Sequence, residues 1–123
     1  MRLCILGNSL TALTLAKTLV NHKINVDLFF NKKNYKIDES RTIGISNNNI
    51  NFFNNYIINI EKIIWNLKRI EIFSDKLKKD KLINFKANED YLFSIVKNNK
   101  LYQLLKKSIL FFEIPIVLVS LIL

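Results

Sequence analysis

The sequence predicts an α/β protein that opens with a Rossmann-like βαβ unit. Three observations carry that prediction. The run Arg2–Leu6 is apolar and extended in character, and Gly7-Asn8-Ser9 breaks it. Residues 10–20 then place Leu10, Leu13, Ala16, Leu19 and Val20 at helical spacing. Residues 24–30 are again strand-like, rich in β-branched and aromatic side chains. Two strands this close in sequence, joined by a helix, take a right-handed crossover that sets them parallel.

The first turn of such a unit is a place to hold the pyrophosphate of a dinucleotide, because backbone N–H groups and the helix dipole both favour a phosphate there. The pattern G-x-G-x-x-G falls here on Gly7, Ser9 and Ala12, so only its first position is glycine. Gly7 still supplies the tight turn. Ser9 is small enough for close backbone approach and caps the helix. Ala12 permits close packing of helix on strand. A structural βαβ unit that binds nothing stays open as the alternative.

Composition narrows the classes of function. Half of the 123 residues are hydrophobic, enough for a core. The formal charge is +9, which ordinarily raises nucleic acid or an anionic membrane as partner. Lys far outnumbers Arg, and Ile and Asn are abundant, a combination that AT-rich coding supplies, so the charge carries little functional weight. No nucleic-acid partner is expected. The only cysteine, Cys4, reads as a small buried apolar residue in the first strand, and one cysteine makes neither an internal disulfide nor a zinc site. His22 sits favourably at the helix C-terminus and is not read as catalytic. No His, Cys or carboxylate cluster has metal-ligand spacing, and Met1-Arg2-Leu3 shows no signal-peptide organisation.

Further along, 31–46 reads as a polar, Lys- and Asn-rich connection ending at Arg41. Ser46 caps a helix over 47–55 with Ile50 and Phe53 on its inner face. A second helix is expected over 60–67, where Ile60, Ile63, Ile64 and Leu67 fall on one stripe with Trp65 at its edge, read as core. Residues 69–74 alternate as a strand, 75–81 form a charged turn, and 82–85 pair back. After a polar link at 86–90, residues 91–97 read as a third strand. Asn98–Leu110 is helical, with Leu101, Leu104, Leu105 and Ser108 on one face.

Three stretches resemble a known family. Ile5-Leu6-Gly7-Asn8-Ser9-Leu10-Thr11-Ala12-Leu13 looks like the start of the FAD-dependent aromatic hydroxylases of the p-hydroxybenzoate hydroxylase type, nearest to their ubiquinone-biosynthesis branch, the octaprenyl-phenol and methoxyphenol hydroxylases. Ser40-Arg41-Thr42-Ile43-Gly44-Ile45-Ser46 is similar to that family's "GRTxALS" stretch. Ser94-Ile95-Val96-Lys97-Asn98-Asn99-Lys100-Leu101 is similar to its "xxVENRxLxxxL" strand-to-helix joint. Order and spacing agree over 1–110. The resemblance implies FAD as cofactor, with Gly7, Asn8, Ser9, Leu10, Thr11, Ala12 and Arg41 as cofactor-binding residues, Arg41 beside its phosphate and sugar portion. It implies hydroxylation of a polyprenylated phenol with O₂ and a reductant such as NAD(P)H. It also makes the segments over 69–97 the start of a substrate-domain sheet.

Departures from the family pattern lower the expectation for the cofactor. The acidic residue that binds the adenosine ribose falls on Phe30, Asp27 lies inside the strand, and the arginine of the third stretch is Asn99. FAD binding is therefore expected to be weak or lost, and no residue is assigned a catalytic role. Residues 111–123 are almost wholly apolar, with Glu113 the one charge and Pro115 the one internal breaker. They are too short for a membrane-spanning helix, and the resemblance ends before them. The expected division is 1–46 (βαβ unit and Arg41 loop), 47–110 (helices and start of the substrate sheet) and 111–123 (an apolar tail foreign to the family). The expected reading is an N-terminal fragment, inactive alone, cytoplasmic and peripheral to the inner membrane. The alternatives are a non-enzymatic basic membrane-surface protein and a degenerate dinucleotide-binding module.

Overall fold

A computed structural model describes residues 1–30, 39–74, 81–86, 91, 93–110 and 117–120. The described elements run β1 (Arg2–Leu6), α1 (Leu10–Asn21), β2 (Asn25–Phe30), β3 (Thr42–Ile45), α2 (Asn47–Phe52), β4 (Ile64–Leu67), β5 (Arg69–Phe73), β6 (Lys81–Lys86), β7 (Phe93–Lys97), α3 (Asn98–Leu110) and β8 (Val117–Ser120).

β1 and β2 are parallel neighbours, with Leu3 beside Val26 and Ile5 beside Leu28. α1 crosses them and buries Leu13, Ala16 and Val20 against Val26 and Leu28. Its ends are fixed locally. The Ser9 side chain accepts from the Ala12 N–H at 3.3 Å, and past the C-cap His22 the chain turns through Lys23 at φ 60°. Asn21 Nδ2 donates to the carbonyls of Tyr56 and Ile57 at 2.9 and 2.8 Å, which ties the end of α1 to a π-helical turn at Phe53–Ile57. α3 packs along α1 through Leu101, Tyr102, Leu105 and Ile109. β8 then lies parallel to β2 on the side away from β1, with Leu118 beside Leu28, so the sheet order is β1-β2-β8.

β7 is the centre of a second sheet, antiparallel to β3 on one side and β4 on the other. Ile43, Ile45, Val96 and Ile64 on its inner face join the same core cluster as α1 and α3. Buried Ser94 donates from Oγ to Asn66 Oδ1 at 2.6 Å. β5 and β6 form a separate antiparallel hairpin.

Several expectations need correcting. Residues 60–67 are not a helix: one 3₁₀ turn at Glu61–Ile63 leads into β4. Asn54 Oδ1 accepts from the Ile60 N–H at 2.9 Å and Asn59 Oδ1 from the Glu61 N–H at 3.0 Å. These local bonds turn the chain, and pairing with β7 then takes up the backbone groups that a helix would have used. Trp65 is therefore not core. It stands opposite Ile95 on the outer face, 49% exposed, with the Lys97 ammonium 6.0 Å from its ring centre. Cys4 is exposed, because it alternates with the inward Leu3 and Ile5. Thr42–Ile45 is a strand inside what reads as a polar connection. The Ser46 cap holds, accepting from the Asn49 N–H at 3.3 Å, and Ile50 is buried beneath it. The charged turn at 75–81, the link at 86–90, the start of the connection at 31–38 and most of the apolar tail lie outside the described residues, apart from Lys81, Lys86 and the strand at 117–120.

Candidate functional site

The site is built at the C-terminal end of β1, where the chain must turn sharply into α1. Gly7 does this at φ +113°, a conformation that side-chain-bearing residues rarely adopt, and its N–H donates to the Phe29 carbonyl at 2.7 Å. A Cβ there would meet nothing within 4 Å, so backbone conformation alone demands the glycine. Ser9 follows in extended geometry. Its hydroxyl takes the Ala12 N–H and its carbonyl takes the Leu13 N–H at 2.9 Å. The N–H groups of Leu10 and Thr11 lie in the first turn, where no intrahelical acceptor exists.

A cleft of about 290 Å³ opens against this helix start, lined by Ser9, Leu10, Thr11, Arg41, Ile43 and Asn98. The position of Arg41 has a definite cause. Its carbonyl accepts the Asn98 N–H at 2.9 Å, so the residue before β3 is fastened to the joint between β7 and α3. Among the described residues, Arg41 is the one charged residue lining the cleft, and no acidic side chain does so. A helix N-terminus and an arginine lining one cleft favour an anion with several oxygen acceptors.

The site residues expected from sequence thus divide. Ser9, Leu10, Thr11 and Arg41 come together at the cleft. Gly7 makes the turn behind it, and Ala12 is buried in the packing of α1 on the sheet. Asn8 goes elsewhere. It lines a small cavity of about 20 Å³ with Leu13, Leu28, Phe30, Tyr102, Lys106 and Ile109. Phe30 closes the end of β2 there with an apolar ring, and a ring accepts no hydroxyl proton. Asp27 alternates with inward Val26 and Leu28 and lies 3.8 Å from Arg2, away from the α1 side. Asn99 carries a buried Oδ1 with no hydrogen-bond partner. Asn98 is the functional residue that a site-by-site reading misses. It sits inside the third matching stretch, and its contribution is a backbone N–H that no side-chain pattern reveals. Among the described residues, no group of three His, Cys, Asp or Glu is placed to hold a metal, and no helix is long and apolar enough to cross a membrane.

No family model matches the sequence, and no curated protein matches it either. Solved structures do share its fold. 2,6-Dihydroxypyridine-3-hydroxylase from Arthrobacter nicotinovorans superposes with a TM-score of 0.68 over 95% of this chain at 16% identity. HpxO from Klebsiella pneumoniae, solved with FAD and uric acid, gives 0.70 over 88% at 15% identity. The peptidyl tryptophan dihydroxylase QhpG gives 0.60 over 97% at 9% identity. The chain spans 28%, 28% and 24% of the length of these three proteins. At such identities the likeness shows the fold: a partial α/β unit of the kind with which these hydroxylases are built.

Proposed function

We propose that this chain is the opening, cofactor-holding segment of a flavin-dependent aromatic-ring hydroxylase. In this reading Ser9, Leu10, Thr11 and Arg41 receive the pyrophosphate of FAD. One observation carries it: three stretches far apart in sequence converge on a single cleft lined by a capped helix N-terminus and by Arg41. The pyrophosphate half of the cofactor fits these residues. Its ribose half does not, since the resemblance puts the ribose acceptor at Phe30, whose ring accepts no hydrogen bond from a hydroxyl. When bound, the flavin supplies the oxygen chemistry, with O₂ and a reductant such as NAD(P)H. The described residues bind and orient, and none of them is assigned to the reacting atoms.

The finer reading, a polyprenylated phenol hydroxylated in ubiquinone biosynthesis by a protein at the inner membrane, rests on the sequence resemblance. In the same reading the 123 residues alone do not turn over substrate, because hydroxylation needs the flavin ring held against the substrate in a water-poor pocket. The test is a titration of the chain with FAD, followed by flavin fluorescence. The wild type should bind weakly. Arg41→Ala should bind about tenfold more weakly still, as expected for a lost charged hydrogen bond. Phe30→Glu restores a ribose acceptor and should bind about tenfold to a hundredfold more tightly. Three superposable curves would overturn the proposal in favour of a degenerate module that holds no nucleotide.

A further inference from the structure

The cleft at Arg41 does not end at the helix start. Leu10 and Thr11 also line a second, open groove of about 410 Å³. On α3, Asn98 borders the cleft and Leu101, one turn further on, borders the groove. Cleft and groove are thus successive parts of one trough that follows α1 from Ser9 to Thr18, about 13 Å of helix. The two parts differ in chemistry. The cleft holds Arg41, whereas the groove is walled by Thr14, Leu15 and Thr18 of α1, by Phe52 of α2 and by Phe53 and Ile57 of the π-helical turn. Among the described residues, no charged side chain lines the groove. The Thr18 hydroxyl is engaged within α1, donating to the Thr14 carbonyl at 2.8 Å. Leu15 and Phe52 are 49% and 50% exposed, and the Tyr56 ring stands 5.3 Å from that of Phe52. The side of the turn toward Phe30 offers far less space. Among the described residues, what lies beside Asn8 and Phe30 is the cavity of about 20 Å³, room for about one water and not for a purine.

We propose that the trough takes a flavin mononucleotide (FMN) in preference to the dinucleotide, with the phosphate at Arg41 and the isoalloxazine ring along the groove against Leu15 and Phe52. A phosphate monoester brings the charge and the oxygen acceptors that an arginine selects. The flavin ring is flat, with an apolar dimethylbenzene edge for the groove, and a flat ring gains from aromatic walls such as Phe52 and Phe53. Its polar edge stays in water, because the groove is open. The adenosine of FAD adds nothing here: the ribose-acceptor position falls on Phe30, and the base finds no room. The proposal rests on the flavin reading of the cleft and changes which flavin it holds.

The experiment is isothermal titration of the full chain with FMN, riboflavin and FAD. FMN should bind about tenfold more tightly than riboflavin, since it alone of these two brings a phosphate, and at least as tightly as FAD. Arg41→Ala should weaken FMN about tenfold and leave riboflavin unchanged. Phe52→Asn should weaken FMN and riboflavin alike, by about tenfold, as expected for a lost stacking contact. Phe30→Glu should leave FMN unchanged. Circular dichroism of each variant checks that the fold is kept. FAD binding tenfold more tightly than FMN overturns the proposal and leaves the flavin reading of the cleft standing. Equal binding of FMN and riboflavin, or FMN binding that neither Arg41→Ala nor Phe52→Asn weakens, overturns the proposed placement. No binding of any of the three overturns both readings. Decyl phosphate binding where FMN does not also overturns the proposal, and gives the trough to an aliphatic phosphate.

Discussion

Gly7 and Lys23 show the same backbone demand met well and met badly. Both have positive φ, one at the start of α1 and one just after its end. Gly7 adopts it freely. Replacing it with alanine brings no clash, so the whole cost is conformational, about 1–3 kcal/mol, and urea unfolding of Gly7→Ala should show it with m unchanged. Lys23 already bears such a cost, and Lys23→Gly should stabilise the chain by about 1 kcal/mol. A fall in Tm for Lys23→Gly would show that the lysine side chain contributes more than its backbone strain. At this scale the sequence is legible wherever a residue acts on its immediate neighbours, as in the caps at Ser9 and Ser46. It is not legible for Cys4 or Trp65. Alternation says which residues share a face of a strand, and says nothing about which face the rest of the chain will cover.

The helix expected over 60–67 fails for a reason that belongs to elements. Apolar residues at i, i+3, i+4 and i+7 fit a helix, but here β7 offers pairing partners about thirty residues away, and Ile64 beside Val96 outweighs local periodicity. β7 itself pairs with β3 across some fifty residues, and no local pattern announces such a partner. In the hairpin, the hydrogen bond from Lys81, with Arg69 nearby, holds the Glu71 carboxyl below its ordinary 4.5. A depressed carboxyl pKa contributes stability that is present above the unfolded value and is lost as pH falls through the folded one. The amide shifts of β5 and β6 should therefore lose dispersion as pH falls below the ordinary glutamate range, and Glu71→Gln should remove that pH dependence. The apolar tail invites an equally direct test. Residues 117–120 pair with β2, so deleting 111–123 should lower the thermal midpoint; an unchanged midpoint would mean that the pairing with β8 contributes nothing to stability.

Across the whole molecule, the two three-stranded sheets share one apolar cluster in which α1 and α3 meet Ile45, Val96 and Ile60. The elements of the opening βαβ unit are legible because every step lies within thirty consecutive residues, although the outward side of β1 that exposes Cys4 is not. The cleft was half legible. Its glycine turn and cap are local, whereas Arg41 reaches it only because β3, β7 and α3 meet behind it. Both crossover helices pack on one side of β1 and β2, and the opposite side presents Arg2, Cys4 and Leu6 to solvent, with Leu6 78% exposed. Because Cys4 is the only cysteine, that surface carries its own chemical footprint. A thiol reagent should label the native chain once, at Cys4, without denaturant. Any polypeptide that settles over this side of the sheet would then announce itself as a slowing of that one reaction.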